Sequence, residues 1–375
     1  ALYLPGGEPI AKGTVLRNPD LAVILRRIAA HGVAGFYAGE TAAKIVAEME
    51  RGGGLITLVD LSGYRPRWRE PIVTSYRGHR LISMPPPSSG GLVLALLANL
   101  LSEHDVAKLG FHSLEEIHLF AEPMRRAFAV RNATLGDPDF VAVPTERFLS
   151  VDSARLLGAS IDQNRATPSS AMTFGSGQDA EGLHTTHFSV VDIEGNAVAL
   201  TTTINTLFGS AVTVAGAGFF LNNEMDDFAA RPGEPNAFGL VQGESNAVAA
   251  GKRPLSSMTP TIVVGPDDKV LLVTGAAGGP TIITTVLQVI VNVVDHGMDI
   301  AAAVAAKRIH HQHLPDTLFY EEDSLSQTVI EELRARGHRL ELRPVIADAP
   351  SILRRGELWT GAAEVRRKGG LALGY

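Results

Sequence analysis

Along the first half of the chain, apolar residues recur at helical spacing. Leu21, Ile24, Leu25 and Ile28 share one face of a 3.6-residue period. Asn18-Pro19 precedes them as a cap residue with proline at the first helical position, and the stripe stops near Gly32. Ile45, Val46 and Met49 repeat the pattern over 40–51 and run into Gly52-Gly53-Gly54. Two strand-like runs, 72–76 and 79–84, are joined at Arg77-Gly78. A Pro-Pro-Pro-Ser-Ser-Gly-Gly run over 85–91 then leads into a helix predicted over 92–103, and a longer helix is predicted over 113–134.

The texture changes after 166. Pro, Ser, Gly, Gln and Asp dominate 166–182 with little periodicity, which predicts a mobile, exposed connection. Beyond it the pattern alternates, predicting strands over 188–193, 197–202, 260–264 and 270–274, with a turn at Gly195-Asn196. Helical spacing returns over 281–294, 300–307 and 325–336. Strands inside, helices outside and no Gly-rich phosphate loop fit a layered αββα arrangement better than a nucleotide-binding fold. No internal repeat is visible.

Composition narrows the function. Among 375 residues, 45% are hydrophobic and 19% charged, as in a compact folded chain rather than a disordered one. A net charge of −7 argues against nucleic acid or an anionic membrane as partner. The absence of cysteine removes disulfides, thiolate zinc sites and cysteine nucleophiles. The longest apolar stretches, such as 92–101, are too short for a transmembrane helix.

The run from Thr185 to Gly209 carries the chemistry: Thr-Thr-His-Phe-Ser-Val-Val-Asp-Ile-Glu-Gly-Asn-Ala-Val-Ala-Leu-Thr-Thr-Thr-Ile-Asn-Thr-Leu-Phe-Gly. It resembles the start of the small subunit of γ-glutamyltransferases (glutathione hydrolases), N-terminal-nucleophile enzymes. The resemblance implies that the precursor cuts itself between His184 and Thr185 and that Thr185 becomes the nucleophile. The chemistry is economical. An internal threonine has no adjacent base, but cleavage frees an α-amine of pKa about 7.7–8.0 on the same residue. Nucleophile and base are then held together by covalent geometry, and the β-branch limits χ1.

The other motifs follow in the family's order. Gly275-Ala-Ala-Gly278-Gly279-Pro280 sits between a strand and a helix, where backbone amides can face a developing negative charge. The resemblance places the oxyanion donors at Gly278 and Gly279, with Thr281 where many relatives carry a basic residue. By the same resemblance Glu224 and Asp227, in Leu-Asn-Asn-Glu-Met-Asp-Asp-Phe, hold a substrate α-ammonium. Thr203 and Asn205 line the nucleophile's surroundings, and Ser256 and Ser257 face the α-carboxylate. The family also takes a carboxylate-gripping arginine from an upstream region absent from this chain. Weak binding by the chain alone is therefore expected, and Arg253 is the nearest candidate cation by sequence. Residues 231–246 resemble the lid loop of lid-bearing members, with Phe238 in place of a common tyrosine as a hydrophobic cover. His310-His311-Gln312-His313 is read as structural rather than metal-binding, since neighbouring histidines diverge and no acid lies at ligand spacing.

The resemblance spans nearly the whole chain and implies an α+β, four-layer αββα sandwich of the N-terminal-nucleophile hydrolase type, N-terminally incomplete. It is read as a single domain over 1–375, with 1–184 a large-subunit portion and 185–375 the small subunit, associating as a heterodimer. The implied activity is γ-glutamyl transfer and hydrolysis on glutathione and related compounds, with water or an amino acid as acceptor and no cofactor or metal. No nucleic-acid or membrane partner is expected, and the resemblance implies a periplasmic or extracellular location. The alternatives are a cephalosporin-type acylase and a non-catalytic remnant that only binds ligand.

Overall fold

The computed structural model describes residues 4–172, 185–366 and 369–374. His184 and the stretch 173–182 of the expected linker lie outside them. Contacts divide the chain into two units, Ala1–Trp68 with Phe208–Asn223, and Arg69–Leu207 with Glu224–Tyr375.

The first unit contains α1 (Pro19–His31), α2 (Ala34–Tyr37), α3 (Gly39–Gly52) and α4 (Leu58–Gly63). Asn18 caps α1 by accepting from the Leu21 amide at 3.0 Å. The apolar stripes meet where Ile24, Ala42, Ile45 and Leu61 bury against Val214 and Ala217.

The second unit opens with the hairpin β1 (Ile72–Tyr76) and β2 (His79–Ser83). Helices α5 (Gly90–Ser102), α6 (Val106–Leu109), α7 (Leu114–Thr134), α8 (Thr145–Leu149) and α9 (Val151–Gly158) follow. A second hairpin, β3 (Thr185–Val191) and β4 (Ala197–Thr203), leads to β5 (Thr261–Val264) and β6 (Val270–Thr274). The remainder is α10 (Thr281–Val294), α11 (Ile300–Ala305), β7 (Ile309–His310), β8 (Leu318–Glu321), α12 (Gln327–Ala335), β9 (Leu340–Arg343), β10 (Ser351–Arg355) and β11 (Leu358–Ala362).

Six strands form an antiparallel sheet in the order β1-β2-β5-β6-β10-β11. Its register explains the layers. Leu81, Val263, Leu272 and Leu353 pair across four strands as one row, and all four enter the core with α5 and α10. The alternate row, Ile82, Ile262, Val273 and Ile352, faces the other way because strand side chains alternate. On that side lies the β3–β4 hairpin, in contact with β5, β6 and β10, and Ser189 Oγ donates to the Val273 carbonyl at 3.2 Å. Helices, sheet and hairpin thus stack as successive layers of an α+β fold. Leu92 to Leu101 of α5 are buried on every side, which is why its sequence is apolar all round.

One expectation is corrected in part. At the start of the segment read as mobile and exposed, Pro168, Ser170 and Ala171 are exposed, but Ala166 and Ser169 are buried and held by hydrogen bonds. Ala166 N–H donates to the Arg336 carbonyl at 2.7 Å. Ser169 N–H donates to Asp316 Oδ2 at 2.8 Å, and Arg126 Nη2 donates to Thr167 Oγ1 at 3.0 Å. A turn rich in Ser and Thr looks solvated in sequence, but buried arginines and an aspartate can satisfy it internally.

Candidate active site

In the β3–β4 hairpin, Thr185 lies directly across from Thr203, so both hydroxyls leave the same face. Their Oγ1 atoms are 3.5 Å apart. Thr203 Oγ1 accepts from the Asn205 N–H at 2.7 Å, in a turn where Asn205 takes a left-handed φ of 76°. Two residues along the strand, His187 is buried beneath the same face. Its Nδ1 is 2.8 Å from Thr201 Oγ1 and its Nε2 3.1 Å from Ser189 Oγ. Burial pulls its pKa down to about 4, so this imidazole is neutral at physiological pH and braces the strand. A Cβ on Gly275 would come within 2.3 Å of its Cε1, which explains glycine there.

The turn from β6 into α10 supplies the next wall. Ala277 pairs with Asp348 through reciprocal hydrogen bonds of 2.8 and 2.9 Å, which fixes the turn. Gly279 has φ 57°, and a Cβ on Gly278 would meet Ala347 Cβ at 2.8 Å. Neither the Gly278 nor the Gly279 amide donates to a protein acceptor among the described residues. Thr281 Oγ1 donates to the Gly278 carbonyl at 2.7 Å and tightens the same turn.

Glu224 and Asp227 lie on one short 3-10 turn. Three side-chain amides grip the Asp227 carbonyl, from Asn236 at 3.3 Å, Gln242 at 3.1 Å and Asn246 at 2.8 Å. Burial raises the Asp227 pKa, and the Glu224 charge and hydrogen bond add to this, while Arg131 and Asn205 pull the other way. Burial also raises Glu224. The pair shares a proton more readily than either acid would keep one in water.

The Ser256-Ser257 loop lines the same pocket. Asn246 Oδ1 accepts from the Leu255 N–H at 3.0 Å, tying this loop to the one holding Asp227. The Pro85–Gly91 run docks against it: Ser256 N–H donates to the Pro87 carbonyl at 2.9 Å, and Ser89 N–H to the Ser256 carbonyl at 2.8 Å.

Thr185, Thr203, Asn205, Asp227, Ser256, Ser257 and Gly279 line one pocket of about 350 Å³, measured with its opening to solvent. Phe238 and Leu240 of the expected cover loop also line it. Glu224 and Gly278 stand beside it, within the same two turns. Arg253 is not there. Its backbone N–H donates to Asp137 Oδ2 at 2.8 Å and its Nη1 lies 3.8 Å from Asp139 Oδ2. Among the described residues, the cation on the pocket wall is Arg131 of α7, which sequence reasoning missed. A signal was present: Phe120, Met124, Phe128 and Arg131 follow helical spacing, so an arginine shares the face of three buried apolar residues. The His310–His313 run is buried, with His310 bonded to Thr284 Oγ1 at 2.8 Å and to Gln312 Oε1 at 3.0 Å.

A family model described as Gamma-glutamyltranspeptidase matches residues 1–374. The glutathione hydrolase proenzyme of Escherichia coli (strain K12) is 45% identical over 377 residues, covering 100% of this chain and 64% of that protein. That of Pseudomonas sp. (strain A14) is 42% identical, covering 100% of this chain and 67% of its own length. The chain thus spans somewhat less than two thirds of the Escherichia coli relative. The Acylase ACY 1 proenzyme of Pseudomonas sp. (strain V22) is 37% identical over 92% of this chain and 59% of its own length. Among solved structures, the cephalosporin acylase from Bacillus halodurans superposes with a TM-score of 0.82 at 25% identity, over 99% of this chain and 65% of that one.

Proposed function

Because the chain belongs to the γ-glutamyltranspeptidase family, we propose that it transfers and hydrolyses γ-glutamyl groups from Thr185, after cleavage of the His184–Thr185 bond. Cleavage frees an α-amine of pKa about 7.7–8.0, which takes the proton of the same residue's hydroxyl as Oγ1 attacks the γ-carbonyl. The Gly278 and Gly279 amides stabilise the tetrahedral oxyanion, since both lack a protein acceptor among the described residues. The amine returns the proton to the leaving nitrogen, and the acyl group stays on Thr185 as an ester. Water or an amino acid then releases it. Thr203, held by the Asn205 amide, fixes the floor beside the nucleophile.

The observation that carries this reading is that an acid and two serine hydroxyls line the same pocket as Thr185. Asp227, with Glu224 on the same turn, offers acceptors to an ammonium, while Ser256 and Ser257 offer hydroxyls to a carboxylate, in the pocket that Thr185 also lines. The acylase alternative draws on the ACY 1 and cephalosporin acylase likenesses. A pocket chosen for an aliphatic or aryl acyl group gains nothing from a buried acid pair, because buried carboxylates are costly without a cation.

The test is processing followed by donor choice. Wild-type chain should separate into two pieces, the second beginning Thr-Thr-His, and Thr185→Ala should stay whole. Normal cleavage of Thr185→Ala would remove Thr185 from its role. Processed protein should prefer a γ-glutamyl anilide over the glutaryl anilide that lacks the α-amine; the reverse preference would favour the acylase.

A further inference from the structure

Arg131 is wholly buried, yet no carboxylate oxygen lies within 4 Å of its guanidinium among the described residues. Its partners are neutral: Nε donates to Ser89 Oγ at 3.2 Å, Nη1 to Asn132 Oδ1 at 2.9 Å and Nη2 to Ser257 Oγ at 3.2 Å. A buried charge that no carboxylate touches is costly, and Asp227 acts on it only from beyond contact distance, so the fold keeps beside the pocket a cation that a bound anion would help to balance. Burial lowers its pKa to about 10, with the Asp227 charge opposing, so the group stays protonated at neutral pH.

The hydrogen-bond polarity sharpens this. A guanidinium only donates, so the hydroxyl of Ser257 must accept from it, and its own proton is left to donate elsewhere. Ser256 Oγ likewise accepts, from the Met258 N–H at 3.0 Å, and its proton is also left to donate. Ser89 relays the same arginine to this loop, accepting from Nε and donating from Oγ to the Ser256 carbonyl at 2.8 Å. Two serine hydroxyls are thereby held as donors on the pocket wall, backed by a positive charge. That is the complement of a carboxylate, in the pocket that Asp227 also lines.

We propose that Arg131 is a positioning residue for the α-carboxylate. It orients Ser257 directly, and Ser256 through Ser89, so that the pocket selects ligands carrying a free carboxylate next to an ammonium. This rests on the γ-glutamyl reading above and deepens it. It also supplies, from within the chain, a cation on the carboxylate side of the pocket.

The test compares L-glutamate with 4-aminobutyrate, which differs only by lacking the α-carboxylate, in calorimetric titrations of the full chain. Arg131→Lys keeps charge without the planar fork, and should weaken L-glutamate by roughly tenfold or more while moving 4-aminobutyrate by less than about threefold. Ser257→Ala should give the same pattern. The double variant should be no worse than Arg131→Lys alone, because the two act as one unit. Equal loss for both ligands, or additive losses in the double variant, would overturn the proposal and leave Arg131 a structural residue. If Arg131→Lys does not melt as a folded protein, Ser257→Ala and Ser89→Ala carry the comparison, and unchanged selectivity in both sinks it. Should wild type bind neither L-glutamate nor a γ-glutamyl anilide, the γ-glutamyl reading itself fails and takes this one with it.

Discussion

At Asp227 the fold holds a carboxyl whose proton is retained by burial and by the Glu224 charge, whereas an ammonium ligand requires the carboxylate. The stability consequence has a definite sign. The folded pKa lies above the unfolded value of about 3.9, so the native state binds more protons between the two, and this group's contribution falls as pH rises through that interval. Asp227→Asn removes the titration. Its thermal midpoint, measured against wild type, should gain progressively from pH 5 to pH 8; a constant difference would mean that the acid pair does not titrate there. Ligand binding moves the other way. Asp227→Ala should cost about 2–4 kcal/mol in the affinity of ligands that carry an α-amine and little for glutarate, since a charge-assisted contact is lost. The identities of these acids were legible from sequence. The three amides on the Asp227 carbonyl were not, because Asn236, Gln242 and Asn246 meet only when the loop folds back.

At the level of elements, the N-terminus of α5 shows why a Pro/Ser/Gly run belongs to the site. A Cβ on Gly90 would lie 2.4 Å from Thr259 Oγ1 and 2.5 Å from the Met258 carbonyl, so this helix start presses on the segment that follows Ser257. Gly90→Ala should cost about 1–3 kcal/mol of stability through overpacking and should weaken L-glutamate binding as the serine loop shifts. Leu96→Ala, in the middle of the same helix, should cost about 2–5 kcal/mol through a cavity. It should leave affinity nearly unchanged, since Leu96 packs in the core away from the pocket wall. Denaturant midpoints and titrations on both variants check the contrast; equal loss of affinity in the two would mean that the site senses global stability only. The periodicity that located α5 to within a residue or two gave no hint that its first turn touches Met258 and Thr259.

Across the whole molecule, ligand and fold should be linked. A ligand present at 100 times its Kd adds about 2.7 kcal/mol to folding when it binds only the native state. L-glutamate should therefore raise the melting temperature of wild type and fail to do so in Asp227→Ala at the same concentration; an equal rise in both would place the binding elsewhere. The sequence by itself determined the longer helices, the first strands and the family. Helical and alternating periods depend on neighbours within a few residues, and Thr185, Asp227, Ser256 and the Gly278-Gly279 turn stand in contiguous motifs that resemblance can read. Tertiary structure alone decided which of them share a pocket and which cation joins them. Arg253 is a few residues from the serines along the chain but pairs with Asp139, whereas Arg131 is 126 positions from Ser257 and donates to its hydroxyl. It decided equally that Ala166 and Ser169 are buried rather than solvated. Proximity along a chain is set by bonds and can be read in order, but a charge buried across two elements is placed by packing, and only the folded chain shows it.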